Sequence, residues 1–456
     1  MAARALALHP ARRLSPALLA LFLVPVALAV AHAPLALSLA AGCGLVLFGA
    51  ALLSAEAGFV ILIASMLLSP EIPLGSAGRG GIDASRSVVL RTEDLLLLLI
   101  GFAWLARMAI HKDLGAFRRT RLNGVIAAFA ACCLLSTLLG IGAGRVRPVA
   151  GLCFVAKYVE YFVLYFMTVN YVRTPEALRR LLVALLLTAG AITLYAWWQI
   201  PQGVRPSAPF EGTPGEPNTL GGYLVLVFAV AASLWQTLPA SALRRGCGIL
   251  AIAVLPPLVA TLSRSSWIGF AGAFVVLVLF APRRAPLLAW GAVGLATLLL
   301  AMPDAMQKRL AYTFTAEGDD GVKVGRLQFD PSSSARMQSW GAAVRGWKSH
   351  PIAGHGITGY GFIDAQYFRI LVETGLLGLA AFTALLVACG ALFWRARSAL
   401  EEPLQRGLAT GMLAAFAGLL LHAIGTNTFL LIRIMEPFWL LTALVVAAMA
   451  LREETA

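Results

Sequence analysis

Asp364-Ala365-Gln366-Tyr367-Phe368-Arg369-Ile370-Leu371-Val372-Glu373-Thr374-Gly375-Leu376-Leu377-Gly378 is the point where a long polar stretch becomes a long apolar helix. The residues before it, 303–365, carry Asp304, Asp319, Asp320, Asp330, the serine run Ser332-Ser333-Ser334, then Arg336, Trp340, Gly354-His355-Gly356 and Gly359-Tyr360-Gly361. The chain as a whole is 59% hydrophobic and 13% charged. A segment this polar cannot lie in lipid, where each unpaired backbone N–H or C=O costs several kcal/mol. It is expected to sit in water, packed over whatever the apolar segments build. The fold class that follows is all-α, a polytopic transmembrane helical bundle of about 12–14 spans with a large loop domain on one side.

Charge and cysteine usage narrow the class. The formal charge is +14, from 36 Lys and Arg against 22 Asp and Glu. In a soluble chain such an excess points to nucleic acid. Here the cations gather in short alternate loops, as the positive-inside rule describes, and nucleic acid is not expected as a partner. Cys43, Cys132, Cys133, Cys153, Cys247 and Cys389 lie in or beside apolar runs with no Cys-x-x-Cys pair. Neither a disulfide framework nor a zinc site is indicated. Arg4, Arg12 and Arg13 before the apolar run 17–30 and Ala31-His32-Ala33 imitate a secretory signal. The next apolar stretch follows at once, so this segment reads as a retained first helix.

A transmembrane helix needs about 20 mostly apolar residues. Spans are expected near 17–31, 35–53, 56–70, 94–110, 122–140, 152–171 and 179–200, then near 218–237, 246–262, 265–281, 285–302, 366–394, 406–424 and 431–451. Domains follow: 1–302 with eleven helices and outer loops at 201–217 and 263–266, the long loop 303–365, and 366–456 with three helices. Arg107, Lys112, Arg118, Arg119, Arg121, Arg173, Arg179, Arg180, Arg244, Arg245, Arg283, Arg284, Arg395, Arg397 and Arg406 fall on one side. That side is expected to be cytoplasmic and to hold both termini; the long loop faces away from it.

Three arginines on the opposite side stand out. Arg205 sits in Gln202-Gly203-Val204-Arg205-Pro206, ahead of a segment with Glu211, Glu216 and Asn218. Arg264 sits between Ser263 and Ser265-Ser266, where two spans meet almost without a loop, and Arg336 follows the serine run. The ordinary reading of each is snorkelling to the interface or pairing with a nearby carboxylate. Arg264 fits that least well. A guanidinium offers a planar fork of donors suited to phosphate, and a helix start adds N–H groups aimed at an anion.

Several motifs in order carry a resemblance: Pro217-Asn218 with Gly221-Gly222-Tyr223, Leu262-Ser263-Arg264-Ser265-Ser266-Trp267, Arg336 with Trp340, His350-Pro351 with Gly354 and Gly356, and Tyr367 with Glu373-Thr374-Gly375. Over roughly 150–395 the chain resembles the O-antigen ligase and O-antigen polymerase superfamily. The resemblance implies an inverting, metal-independent membrane glycosyltransferase of the GT-C type, with no cofactor, acting in the bacterial inner membrane. Its donor would be an undecaprenyl-diphosphate-linked oligosaccharide at the periplasmic face, among membrane lipids, with a chain-length regulator as a further partner. By family position Arg205, Arg264 and Arg336 would cradle the diphosphate.

One departure sets the branch. The family's ligases carry a His-Asn pair some nine residues before the Glu of Glu-Thr-Gly; here that place holds Asp364-Ala365. Asp looks more like the polymerase branch, which joins repeat units to each other. Asp364 is the first candidate base and His355 the second; Asp364 is equally an expected N-cap for the next helix. Glu211, Glu216, Asn218 and Tyr367 are candidates for the acceptor sugar, or the two glutamates for pairing with the arginines. Glu373, about two turns into a helix, reads as structural pairing or pocket lining. A repeat-unit polymerase is the leading expectation, with a ligase using His355 and a lipid-linked sugar flippase as alternatives.

Overall fold

The computed structural model describes residues 35–76, 87–110, 118–211, 215–289, 291–292, 323–324, 327–328 and 331–455. The helices in chain order are α1 (Leu35–Leu53), α2 (Ala55–Leu68), α3 (Thr92–Ile110), α4 (Asn123–Gly142), α5 (Pro148–Tyr171), α6 (Pro175–Gln199) and α7 (Pro217–Thr237). Then come α8 (Ala242–Ala253), α9 (Leu255–Ala260), α10 (Arg264–Phe280), α11 (Pro331–Ser349), α12 (Gln366–Ala399), α13 (Pro403–His422) and α14 (Ile432–Thr455). Two short antiparallel hairpins, Glu71–Ser76 with Ser87–Arg91 and Lys323–Val324 with Leu327–Gln328, leave the class all-α.

Twelve of the fourteen expected spans fall on these helices. The expected spans near 17–31 and 285–302 lie outside the described residues, apart from helical residues at 285–289 and 291–292. Among the described residues eight helical stretches are long and apolar enough to cross a membrane, while Ala55–Leu68 and Arg264–Phe280 are apolar but shorter. The span expected near 246–262 is α8 and α9 end to end, broken where Pro256 and Pro257 cannot continue the ladder. The chain is a multi-pass membrane protein.

Why the bundle is layered can be read from residue size. Helix α7 has no charged residue and is buried over 89% of its apolar window, α14 over 83% and α13 over 67%. A helix apolar on every side is a core helix. Helix α10 approaches α13 so closely that a Cβ on Gly269 would stand 2.9 Å from Gly418 O, and one on Gly418 2.6 Å from Gly269 O. Small residues at such crossings let backbones meet, the usual means of packing helices in lipid. Helix α12, by contrast, is buried over only 28% of its window, and Leu376, Leu377, Val387 and Trp394 face outward.

One end of this bundle gathers the irregular backbone. Arg205 reaches Thr261, Gln366 N donates to Ala423 O, and Asn427 Nδ2 donates to Ile363 O. Ser266 Oγ lies 3.2 Å from His422 Nε2, so the segments 201–211, 261–266, 363–366 and 422–427 gather at that end.

Candidate functional site

The site is built around the corner between α9 and α10. Thr261, fully buried, donates its hydroxyl to Leu258 O at 2.7 Å, and Leu262 takes a left-handed φ of 50° that a branched residue rarely adopts. Ser263 then caps α10, its Oγ accepting from Ser266 N at 3.3 Å. Arg264 is thereby the first residue of the helix, where the dipole and backbone N–H groups favour an anion.

The other two arginines converge on this corner. Arg205 Nε donates to Thr261 O at 2.8 Å. Arg336, on α11, lies against Gly425: a Cβ there would stand 2.6 Å from Ser265 Oγ and 3.7 Å from Arg336 Nη1. Residues 205, 264 and 336, spread over 132 positions of sequence, share one neighbourhood.

Asp364 joins them. Arg336 Nε and Nη2 each lie 3.4 Å from Asp364 Oδ2, and the Asp364 side chain keeps 30% of its surface exposed. These contacts are long for charge-assisted hydrogen bonds, which settle near 2.7–2.9 Å. Burial raises the Asp364 carboxyl above its ordinary range; the Arg336 charge and hydrogen bond, then the Arg369 charge, pull it back, and Glu216 adds to the rise. The N-cap expected of Asp364 is not made. That position belongs to Ala365, whose methyl cannot cap, and the Asp364 carboxylate turns to Arg336.

His355 has a different setting. Its Nε2 lies 3.0 Å from Gly346 O and 3.3 Å from Ser349 Oγ, and its ring packs on His350 and Tyr360. Gly346 is ten residues along α11 from Arg336, about 15 Å at the helical rise. The structure does not bring His355 and Asp364 to the same point.

The loop carrying His355 interlocks with α12. Gly375 departs from helical geometry at φ 66° and ψ −165°. That break frees backbone groups, and residues 351–356 take them up: Leu376 N donates to Pro351 O at 2.9 Å, His355 N to Val372 O at 3.0 Å and Gly356 N to Glu373 O at 2.8 Å. A side chain on Gly375 would collide with Ile352 O, and Gly354 also sits at positive φ against Glu373. Glu373 itself is buried, holding Arg369 Nε at 3.2 Å and accepting from Thr358 N at 3.3 Å. Ser136 on α4 lies 2.5 Å from Ala353 O and 2.7 Å from Glu373 O, sharing its one proton between them.

The acceptor candidates divide. Glu216 is exposed, accepts from Thr219 Oγ1 at 2.8 Å and contributes its charge to Asp364. Asn218 follows at the start of α7, its backbone facing the His422 ring. Tyr367 spends its hydroxyl proton on Leu420 O at 2.8 Å, leaving the oxygen as an acceptor. Glu211 is turned inward, its side chain 3% exposed and 3.7 Å from Arg433 Nε. It pairs with an arginine, though not one of the three expected.

Two further polar groups escaped the sequence reading. His422 is fully buried at the end of α13, with Nε2 3.2 Å from Ser266 Oγ and Nδ1 2.7 Å from Thr428 Oγ1. It links the capped turn of α10 to the 423–431 segment. A charged network also joins α3, α5 and α14: Arg91 pairs with Glu93 at 3.3 Å, and Lys157 pairs with Asp94 and, at 3.6 Å, with Glu160. Glu436 is buried within reach of their charges. An ionisable residue inside an apolar span is itself a signal, and His422, Arg433 and Glu436 all gave it.

Residues 250–383 match a family model described as O-antigen ligase. The matched region holds Arg264, Arg336, His355, Asp364 and Glu373, whereas Arg205, Glu211, Glu216 and Asn218 precede it. No curated protein matches the chain. The corner at Arg264, the helix of Arg336 and the interlock at Gly375 all fall inside the match, so this part of the chain is similar to the O-antigen ligase family.

Proposed function

We propose that the chain is an inner-membrane glycosyltransferase that polymerises undecaprenyl-diphosphate-linked oligosaccharide repeat units at the periplasmic face. The observation that carries this reading is the loose pairing of Asp364 with Arg336 beside the helix start of Arg264. An acceptor sugar hydroxyl attacks the anomeric carbon of the donor from the face opposite its diphosphate. The new C–O bond forms as the bond to phosphate breaks, inverting that carbon, and the bonding electrons leave on the diphosphate oxygen. Arg205, Arg264 and Arg336 neutralise the charge that develops there, a large source of rate when the donors are held in place beforehand. Asp364 takes the hydroxyl proton. At 3.4 Å its bond to Arg336 is easily exchanged, so the guanidinium can move to phosphate and release the carboxylate as base. The enclosure of His355 by Gly346 and Ser349 favours Asp364 over it. That preference supports the polymerase reading over the ligase one.

The test is purified protein in liposomes with a lipid-linked repeat unit, products resolved on a gel. A ladder of longer lipid-linked glycans is expected, and Arg264→Ala should lower it about 10²–10³-fold with the protein still in the membrane. Normal polymer from that variant overturns the arginine role. Transfer only when lipid A–core is added makes the chain a ligase, and movement of the substrate across the bilayer without new bonds makes it a transporter.

A further inference from the structure

Among the described residues the largest fully buried side chain is Arg433, on the first turn of α14. Its guanidinium does not face the three arginines or Asp364. Nη1 donates to Leu67 O at 3.2 Å and to Pro209 O at 3.0 Å, and Nη2 donates to Ser69 O at 3.2 Å. Nε lies 3.7 Å from Glu211 Oε1. Glu211 in turn holds its own segment, Oε2 accepting from Ala208 N at 3.2 Å and from Glu216 N at 2.9 Å. One cation thus ties the end of α2 and the start of α14 to the 205–211 segment. That segment is held in a conformation it would not choose. Phe210, between the carbonyl and the carboxylate that Arg433 engages, has φ 60°, in the left-handed region that disfavours side chains.

We infer that Arg433 is a positioning residue: through Glu211 and Pro209 it latches the 205–211 segment, with Glu216 N held on Glu211, so that Arg205 reaches the α9–α10 corner while Glu216 faces Asp364. The inference rests on the function proposed above for what that segment carries, and on the contacts of Arg433 and Glu211 for the latch itself. A buried guanidinium suits the task because its rigid fork serves several carbonyls at once, which an ammonium on a flexible stem does not. A latch strained at Phe210 opens when its partner is lost, since strain of this kind persists only where surrounding contacts impose it.

The experiment compares wild type, Arg433→Lys, Glu211→Gln and Arg433→Lys with Phe210→Gly, in detergent for hydrogen exchange and in liposomes for glycan transfer. Exchange over 203–211 should quicken about tenfold in both single variants, with α5 and α7 unchanged. Transfer should fall about 10²-fold in kcat with little change in the donor KM, as a shifted site residue does. Glycine at 210, which adopts that φ freely, should restore part of the rate to the Arg433→Lys chain. Unchanged exchange in Glu211→Gln, which keeps its volume and tests the latch even if Arg433→Lys misfolds, overturns the latch. Quickened exchange with normal transfer overturns its positioning role. Absence of transfer by wild type sinks the polymerase reading instead, and the exchange comparison still decides the latch.

Discussion

Two stretches of this chain carry matching parts of one motif set, yet they are built in opposite ways. Around Arg336 and Asp364 the polar groups are partly exposed and their contact is long, at 3.4 Å between guanidinium and carboxylate. Around Gly354 and Gly375 the backbone is bonded at 2.8–3.2 Å and fixed by three glycines at positive φ, Gly354, Gly356 and Gly375. The first arrangement leaves charge available to a ligand at little cost. The second spends every polar group on itself and supplies the rigid floor that holds Asp364 eleven residues before Gly375. A motif can thus mark chemistry or scaffold, and the satisfaction of its hydrogen bonds separates the two.

Breaking the first region should have the largest effect. Asp364→Asn is expected to lower transfer about 10²–10⁴-fold, the range typical of losing a general base, with normal membrane content. The pH profile sharpens this. Burial raises the Asp364 carboxyl, so its base form is gained, and kcat/KM climbs, as pH rises through a range above the usual carboxylate one. Arg336→Gln removes the main charge that opposes the rise, and the surviving activity should show its acid limb displaced to higher pH. An acid limb that stays where it was in Arg336→Gln, or full activity in Asp364→Asn, refutes Asp364 as the base.

The second region should answer with stability instead. Gly375→Ala forces a side chain into a φ and ψ that essentially glycine alone adopts, at a cost of about 1–3 kcal/mol before the collision with Ile352 O. Lower yield and a lower unfolding temperature in detergent are expected; an unshifted unfolding temperature would show that the interlock is not structural. The smallest effect is expected at the border between the regions. His355→Gln keeps a donor for Gly346 O and should leave glycan transfer within about threefold of wild type, whereas loss on the scale of a missing base would transfer that role to His355.

Much of the fold was legible because lipid leaves little choice. Apolar runs such as those of α7, α13 and α14 must be helices of bilayer length, and their existence follows from hydropathy alone. Legibility failed where backbone geometry, not hydropathy, decides the outcome. The break at Gly375 was read as continuous helix since the 366–394 run as a whole is apolar and long enough to span. Asp364 was given a capping role that Ala365 occupies, because no local rule reveals that Arg336 stands opposite it. Glu211 was expected to face a sugar or pair with one of the three arginines, while Arg433, which it pairs with, lies 222 residues later in a helix whose charge was passed over.

By itself the sequence determined the all-α membrane class, the order of the spans, and which arginines lie at or beyond the ends of the apolar runs. Periodicity, length and charge are local quantities, and the bilayer converts them directly into structure. Tertiary structure alone decided that Arg205, Arg264 and Arg336 meet at one corner, that Asp364 rather than His355 shares it, and that His350–Gly356 is the other half of the Gly375 break. Those are pairings between residues remote in the chain. They depend on glycine-width approaches and single hydrogen bonds that no pattern along the chain records.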